Sequence, residues 1–196
     1  MNAQHCFLRI ETPRLILRDH VLEDLAEHHA LFSDETAMRY LPEVRTHSLE
    51  ASRENLIVSI RAMEEQPRKF YFLKIVARQS GAHVGEIGYT VTQEAPGGRV
   101  VNLGYFLRPQ MWRQGYAGEA AEALIQYAFT KGGVWRIETG CLAENRGSEG
   151  VMQHCGMRRE GELKQAVWHE GAWKTRLLYR QLRSEWEEQH AETGCE

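Results

Sequence analysis

The sequence predicts a mixed α/β fold, in which strands joined by tight hairpins surround one strand–helix–strand crossover. Three observations support this prediction. Short segments rich in β-branched and aromatic residues alternate with segments of helical periodicity. Glycine-containing turns join most neighbouring strand segments, which favours antiparallel hairpins. One helical segment separates residues 100–107 from residues 136–142, and such a connection is long enough for a parallel crossover.

The N-terminal third of the chain is predicted to contain an extended segment followed by two helices. Residues 6–19 are extended, with a break at Thr12-Pro13. Apolar residues recur at helical spacing in residues 21–33. Residues 49–66 form the second helix, for which Ser48 is the predicted N-cap.

After these helices, the pattern predicts three strands, a crossover helix, a strand, a short helix and a closing hairpin. Glycines mark the turns and the end of the crossover helix. Residues 1–184 are expected to form a single domain, and the polar residues 185–196 a C-terminal tail. The predicted segments are, in order, strands over residues 70–77, 84–92 and 100–107, a helix over 116–131, a strand over 136–142, a helix over about 148–155, and a hairpin of 157–168 with 172–182.

The composition excludes several function classes. With 24 basic and 27 acidic residues among 196, the chain has a net charge of −3 and lacks the basic excess typical of nucleic-acid binders. No apolar run approaches the roughly 18–20 residues of a transmembrane helix, and no signal peptide is evident. We therefore expect a cytoplasmic protein, monomeric or homodimeric, that binds neither nucleic acid nor a membrane.

The cysteine and histidine patterns predict no metal site. The four cysteines are widely spaced and no C-x-x-C pair occurs, so that reduced thiols are expected. His28-His29 and His154-Cys155 are adjacent pairs on predicted helices. Neighbouring positions on a helix point apart, and we interpret both pairs as structural.

The most informative stretch is the loop before the crossover helix. A strand ends near Leu107, and Gly115, Ala117 and Gly118 lead into the helix. Small residues let an anion approach the backbone N–H groups at a helix N-terminus, which favour phosphate. The same residues also fit a tight turn for helix–sheet packing, and both interpretations are open at this point. The spacing matches neither a P-loop nor a dinucleotide-binding G-x-G-x-x-G loop.

Four stretches of the chain resemble, in order, motifs of the GNAT family of N-acetyltransferases. Residues 112–120, Trp-x-x-Gly-Tyr-Ala-x-Glu-Ala, are similar to its acetyl-CoA-binding motif, in the branch that includes the ribosomal-protein N-terminal acetyltransferases. Residues 11–18 resemble the opening strand of that branch. Residues 145–157 resemble its Asn…Ser…Gly-Phe segment, and residues 173–179 its closing strand. The resemblance implies a GNAT fold with a central mixed sheet of six to seven strands and about four flanking helices.

The chain departs from the family pattern at four positions. Trp112 stands where the pattern has Arg or Gln, and Ala117 replaces its second glycine. Met157 stands where Phe is usual, and Thr175 where the closing strand often has Asp. The branch tolerates the first three departures, whereas the fourth removes a carboxylate from the closing strand.

The resemblance also implies a cosubstrate site for acetyl-CoA. The pantetheine arm would pair with the backbone of the strand before the loop, and the pyrophosphate would lie on the N–H groups of the loop. An asparagine after the next strand would touch the pantetheine region. The residues implied are Tyr105, Phe106, Leu107, Arg113, Gln114, Gly115, Tyr116, Ala117, Gly118 and Asn145.

Direct attack of an amine on a thioester requires a base, an oxyanion donor and an acid. By resemblance, the N–H near Leu107 is the oxyanion donor, and Ser148 protonates the leaving thiolate. Alternatively, Ser148 caps the short helix. Glu86 is the first choice for the base and Glu138 and Asn102 the second, with a water chain as an alternative to all three.

The sequence thus predicts an acetyl-CoA-dependent N-acetyltransferase without a metal cofactor. Its acceptor is an amine, either a protein N-terminus or a small molecule. Residues 38–44, the second predicted helix and the hairpin of Trp168 and Trp173 are candidates for shaping the acceptor pocket. The two tryptophans equally suit a role in covering a face of the sheet or a partner surface. A non-catalytic CoA-binding domain and a generic phosphate-binding module are the alternatives.

Overall fold

Alternating burial along the chain shows why the predicted segments form a sheet. The computed structural model describes residues 7–191. Side chains of Leu15–Asp19 alternate between buried and half-buried positions, which is the period of a strand with one covered face. In the next strand of the sheet, Leu73 and Ile75 are two positions apart and both fully buried. Leucine and isoleucine at every second position therefore supply one side of the core.

Eight strands and five α-helices are present in residues 7–191. The mixed α/β class is confirmed, whereas the expected six to seven strands and about four helices were too few. The strands are β1 (Arg9–Glu11), β2 (Leu15–Asp19), β3 (Phe70–Ala77), β4 (His83–Ala95), β5 (Gly98–Leu107), β6 (Val134–Leu142), β7 (Arg158–His169) and β8 (Ala172–Leu182). The helices are α1 (Leu25–Phe32), α2 (Leu49–Glu64), α3 (Tyr116–Thr130), α4 (Arg146–His154) and α5 (Arg183–Ala191).

The additional strand has a local cause, and the additional helix is held by a contact with α3. Thr12 Oγ1 accepts the Leu15 N–H at 2.8 Å, which closes a turn and separates β1 from β2. In the polar C-terminal segment, Trp186 of α5 packs near Phe129, with ring centroids 5.7 Å apart. Residues 192–196 of the predicted tail lie outside the described residues, and the predicted domain bounds stay a prediction.

The eight strands form one mixed sheet in the order β1-β2-β3-β4-β5-β6-β8-β7. The predicted hairpins are found, with Leu73 opposite Ile87 in β3–β4 and Trp168 opposite Trp173 in β7–β8. The predicted crossover is also found, because β5 and β6 are parallel with Val101 opposite Ile137. The sheet is therefore mixed rather than wholly parallel, as expected.

The chain divides into two compact units. The N-terminal unit lies within residues 1–90 and 104–124, and the C-terminal unit within residues 91–103 and 125–196. Each unit buries its own apolar side chains. Fully or almost fully buried examples are Leu15, Leu17, Leu56, Leu73 and Ile75 in the first unit, and Val134, Ile137, Met152 and Leu177 in the second. Within residues 7–191, no helix combines the length and apolar composition that a bilayer crossing requires.

Candidate active site

The predicted phosphate loop lies between β5 and α3, in the N-terminal unit. After β5 ends at Leu107, a short 3-10 turn over Pro109–Met111 leads to two residues with left-handed backbone, Arg113 (φ 59°) and Gly115 (φ 78°). Tyr116 then begins α3, and the first N–H groups of a helix have no acceptor within it. Left-handed residues followed by a helix start form a backbone concavity that suits an anion.

Two side chains close this loop on its own backbone. Trp112 Nε1 donates to the carbonyl oxygen of Leu107 at 2.9 Å. Gln114 Nε2 donates to the carbonyl oxygen of Gln110 at 2.8 Å. Trp112 departs from the family pattern, yet in this chain it ties the loop to the end of β5.

The side chain of Phe106 faces an apolar cluster built from α1 and the segment after it. Phe32 of α1 meets Phe106 edge-on, with ring centroids 5.1 Å apart. Met38, Leu41 and Val44 belong to the same cluster. The segment expected to shape the acceptor pocket therefore packs beside a residue of the predicted pantetheine strand.

Glu86, the first choice for the general base, lies in a buried polar cluster of the N-terminal unit. One carboxylate oxygen accepts a hydrogen bond from His28 Nδ1 at 2.7 Å, and the other lies 3.5 Å from His20 Nε2. His28 Nε2 lies 3.0 Å from Oδ1 of Asn55 on α2. Glu86, His20 and His28 are exposed by only 5%, 2% and 1%. The cluster thus connects β4 with α1, α2 and the end of β2.

The charges of this cluster shift two pKa values in opposite directions. Burial alone would lower the pKa of His20, but the carboxylates of Glu86 and Asp24 raise it to about 9. Burial alone would raise the pKa of Glu86, but His20 and His28 hold it far below its usual range. At neutral pH a protonated His20 therefore lies beside an ionised Glu86. A carboxylate of such low pKa is a weak proton acceptor.

The sequence pattern indicated neither His20 nor the contact between His28 and Glu86. His28 was interpreted as one of a structural pair, and its contact with a carboxylate 58 positions away has no local signal. One ligand atom from each of His20, His28 and Glu86 lies within 4.8 Å of the others, a spacing at which these groups could also hold a metal ion. The expectation of no metal stays a prediction.

In the C-terminal unit, Asn145 rather than Ser148 caps α4. Oδ1 of Asn145 accepts the N–H of Ser148 at 3.1 Å, so the interpretation of Ser148 as the cap was wrong. The helix accordingly begins at Arg146, two residues before the predicted start. Burial raises the pKa of the Cys141 thiol to about 11, and the neighbouring Ser148 side chain opposes this shift only in part. Ser148 thus lies beside an un-ionised thiol at neutral pH.

The second-choice bases, Asn102 and Glu138, lie opposite each other in the parallel pair β5–β6. Asn102 is exposed, and the carboxylate of Glu138 accepts a hydrogen bond from Arg136 Nε at 2.7 Å. An ion pair stabilises the charged form of a carboxylate and so lowers its tendency to take a proton. Neither residue has the surroundings of a strong base.

The tryptophans of the closing hairpin are exposed. Trp168 and Trp173 pair across β7 and β8, with ring centroids 5.5 Å apart and exposed fractions of 61% and 59%. Trp173 also lines an open groove of about 400 Å³ at the start of α4. The other lining residues are Ala143, Glu144, Arg146, Lys174 and Thr175. Rings this exposed are compatible with a substrate mouth or a partner surface, and both stay predictions.

Comparison with known proteins assigns these features to one family. Residues 14–158 match the family model described as acetyltransferase (GNAT) domain. The chain belongs to the GNAT acetyltransferase family. It is similar to the uncharacterized N-acetyltransferase YnaD of Bacillus subtilis, at 29% identity over 180 residues that cover 91% of this chain and 99% of YnaD. The predicted enzyme class, an N-acetyltransferase, is thereby confirmed.

Two solved structures show that the fold is shared. Ribosomal-protein-S5-alanine acetyltransferase from Vibrio fischeri has a TM-score of 0.79 at 19% identity, covering 91% of this chain and 98% of that one. Spermidine N-acetyltransferase from Vibrio cholerae, in complex with CoA and spermine, has a TM-score of 0.76 at 18% identity, covering 89% of this chain and 99% of that one. The GNAT fold implied by the resemblance is therefore confirmed. One of these proteins is named for a protein acceptor and the other for a polyamine.

Proposed function

We propose that this GNAT acetyltransferase transfers the acetyl group of acetyl-CoA directly to a primary amine of a protein N-terminus or a small molecule. The observation that supports this most is the loop of residues 113–118. Its two left-handed residues and the start of α3 make a concavity for the pyrophosphate. Glycine suits position 115, because φ 78° is a backbone conformation that residues with a Cβ atom seldom adopt. The residues present therefore fit a phosphate-bearing cosubstrate.

The predicted cosubstrate residues receive separate roles in this proposal. The backbone of residues 105–107 pairs with the pantetheine arm, and the N–H groups of residues 113–118 bind the pyrophosphate. Oδ1 of Asn145 already caps α4, so we assign its contact with pantetheine to the Nδ2 group. The backbone contacts of residues 105–107 orient the thioester beside Phe106.

The acetyl thioester supplies an activated acyl carbon, and the chain supplies proton transfer and charge stabilisation. The backbone N–H near Leu107 donates to the oxyanion of the tetrahedral intermediate. The Ser148 hydroxyl donates a proton to the leaving thiolate and regains one from water, which carries the proton that the amine loses. Because Glu86 has a low pKa and Glu138 is ion-paired, we propose that the proton of the acceptor amine leaves through water.

A panel of amines tests the proposed function. Acetyl-CoA is offered with peptides that begin with Ala, Ser or Met, and with polyamines, amino acids and aminoglycosides, while thiol release is measured. Turnover of any amine supports the proposal. Acetyl-CoA binding without turnover of any amine would favour the non-catalytic CoA-binding domain. Equal thermal stabilisation by ATP and CoA would favour a generic phosphate-binding module.

Replacing Ser148 by alanine tests the assigned acid. We expect kcat to fall about tenfold while KM for acetyl-CoA changes little, because the hydroxyl would act only as the thiolate leaves. The melting temperature should hardly change, since Asn145 provides the helix cap. The matched variant Asn145→Ala should instead lose about 1 kcal/mol of stability. An unchanged kcat in Ser148→Ala would contradict the assignment.

Direct transfer predicts that no acetyl-enzyme intermediate forms. Cys141 and Cys155, the cysteines within residues 7–191, are both buried, and burial raises the pKa of Cys141 to about 11. Incubation with acetyl-CoA alone should leave the intact mass unchanged. Initial rates with both substrates varied should give intersecting lines. A stoichiometric mass gain of one acetyl group, removed by an acceptor amine, would contradict direct transfer.

A further inference from the structure

Arg14 contacts the phosphate loop and the helix that follows it with a single side chain. It stands between the Thr12-Pro13 break and the start of β2. Its Nη1 group donates to the carbonyl oxygen of Gln114 at 2.9 Å, and its Nε donates to Oε2 of Glu119 at 2.5 Å. The guanidinium carbon lies 4.8 Å from the ring centroid of Tyr116, the first residue of α3. All these groups belong to the N-terminal unit.

Glu119, in the first turn of α3, completes this contact. One of its oxygens accepts hydrogen bonds from Thr12 Oγ1 at 2.5 Å and from the N–H of Arg14 at 2.9 Å. Burial alone would raise the pKa of Glu119, but the bonds from Thr12 and Arg14 hold it below its usual value. The backbone N–H of Glu119 donates to the carbonyl oxygen of Gly115 at 3.1 Å. Its carboxylate is thus ionised and fixed by three donors.

The loop needs external support because of its backbone conformation. Arg113 adopts φ 59°, a region that residues with a Cβ atom seldom occupy, and Gly115 adopts φ 78°. Gln114 lies between them, and its carbonyl oxygen is the group that Arg14 holds. An anion-binding loop gains affinity when its N–H groups are oriented before the ligand arrives.

We propose that Arg14 and Glu119 are positioning residues, which together hold residues 113–118 in the shape that binds the pyrophosphate of acetyl-CoA. This inference rests on the proposed function, because it takes the loop as the pyrophosphate site. The planar guanidinium donates hydrogen bonds to the loop carbonyl and to the helix carboxylate in a fixed geometry. A lysine ammonium lacks this fixed arrangement of donors. Glu119 favours anion binding through this arrangement although its own charge is negative.

Whether Glu119→Gln weakens or tightens acetyl-CoA binding distinguishes a positioning role of Glu119 from a purely electrostatic one. If charge alone mattered, Glu119→Gln would remove repulsion and tighten acetyl-CoA binding. Positioning predicts the opposite. Calorimetry with acetyl-CoA should show about tenfold weaker binding for Arg14→Gln, for Glu119→Gln, and for the double variant, because each change breaks the same contact. The control Arg9→Gln removes one charge from an exposed ion pair with Glu11 and should bind like the wild type.

The kinetic readout excludes a general structural defect. With the amine that turns over fastest, KM for acetyl-CoA should rise about tenfold in Arg14→Gln, while kcat at saturating acetyl-CoA is unchanged. A wild type that does not bind acetyl-CoA would overturn the proposed function. A wild type that binds it, together with unchanged or tighter binding by Glu119→Gln, would overturn the positioning role alone. A double variant weakened about a hundredfold would overturn it as well, because independent effects would then add.

Discussion

Replacing Gly115 by glutamate is expected to weaken acetyl-CoA binding at least a hundredfold, which is about 2.8 kcal/mol of binding free energy. The backbone at Gly115 has φ 78°, which residues with a Cβ atom seldom adopt, and an added Cβ would lie 3.2 Å from Arg14 Nη2 and displace that guanidinium slightly. The new carboxylate would also enter the proposed pyrophosphate site and repel the phosphates. Calorimetry on the purified variant measures the loss.

Gly81 provides a matched control for this experiment. It has φ 71° in the turn between β3 and β4, and nothing lies within 4 Å of an added Cβ. Gly81→Glu therefore adds the same charge and the same backbone strain away from the loop. We expect it to lose stability but to bind acetyl-CoA like the wild type. Wild-type affinity in Gly115→Glu would contradict the assignment of the loop as the cosubstrate site.

The helices and strands could be predicted because their signals lie within each segment. β3 was predicted at residues 70–77 and occupies those residues, since its aromatic and β-branched side chains all lie within eight positions. Ser48 was predicted as the cap of α2, and its side chain accepts the Ala51 N–H. Both signals involve residues close in the sequence.

Several of the errors occurred where a partner distant in the sequence decides where an element begins or which element it joins. β6 begins at Val134, two residues before its predicted start, because Val134 pairs with Arg99 in β5. The position of β8 between β6 and β7 has no sequence signal, since a hairpin pattern does not show which of its strands joins the sheet. Such choices depend on contacts between segments rather than on the composition of either one.

The candidate site likewise contains parts that could be predicted from the sequence and parts that could not. The loop around Gly115 could be predicted, because small residues before a helix form a local pattern. The residues that support the loop could not be predicted, because Arg14 and Glu119 are 105 positions apart in the sequence. Glu86 was chosen for its strand, but the neighbours that lower its pKa come from other elements. Their effect on the chemistry therefore became visible only in the fold.

Glu86→Gln is expected to lower the free energy of unfolding by on the order of 3 kcal/mol at pH 6, because it removes the carboxylate beside a buried, protonated histidine. Glu86 accepts a hydrogen bond from His28 at 2.7 Å and lies 3.5 Å from His20, and all three side chains are buried. Glutamine keeps the shape and a hydrogen-bonding oxygen but carries no charge. Urea unfolding of both proteins measures the difference.

The pH dependence of this difference follows from the two pKa shifts. The pKa of His20 rises from its ordinary 6.5 to about 9 on folding, so its stabilising contribution is complete below pH 6.5 and is lost as the pH rises through 9. The pKa of Glu86 falls below its ordinary 4.5, so its contribution is present above that pH and is lost as the pH falls. The difference in the free energy of unfolding between wild type and Glu86→Gln should therefore be largest between about pH 5 and pH 6.5 and should decrease towards pH 10.

Glu138→Gln is the control for this prediction, since it removes a strand carboxylate whose side chain is 41% exposed and paired with Arg136. We expect Glu138→Gln to lower the free energy of unfolding by less than about 1 kcal/mol, because a partly exposed ion pair is screened by solvent. Unfolding curves of the three proteins at pH 6 and pH 10 test both variants together. If the loss of unfolding free energy in Glu86→Gln stays constant or increases between pH 6 and pH 10, His20 does not hold the stabilising proton. Equal stability of Glu86→Gln and wild type at pH 6 would show that the buried ion pair makes no net contribution.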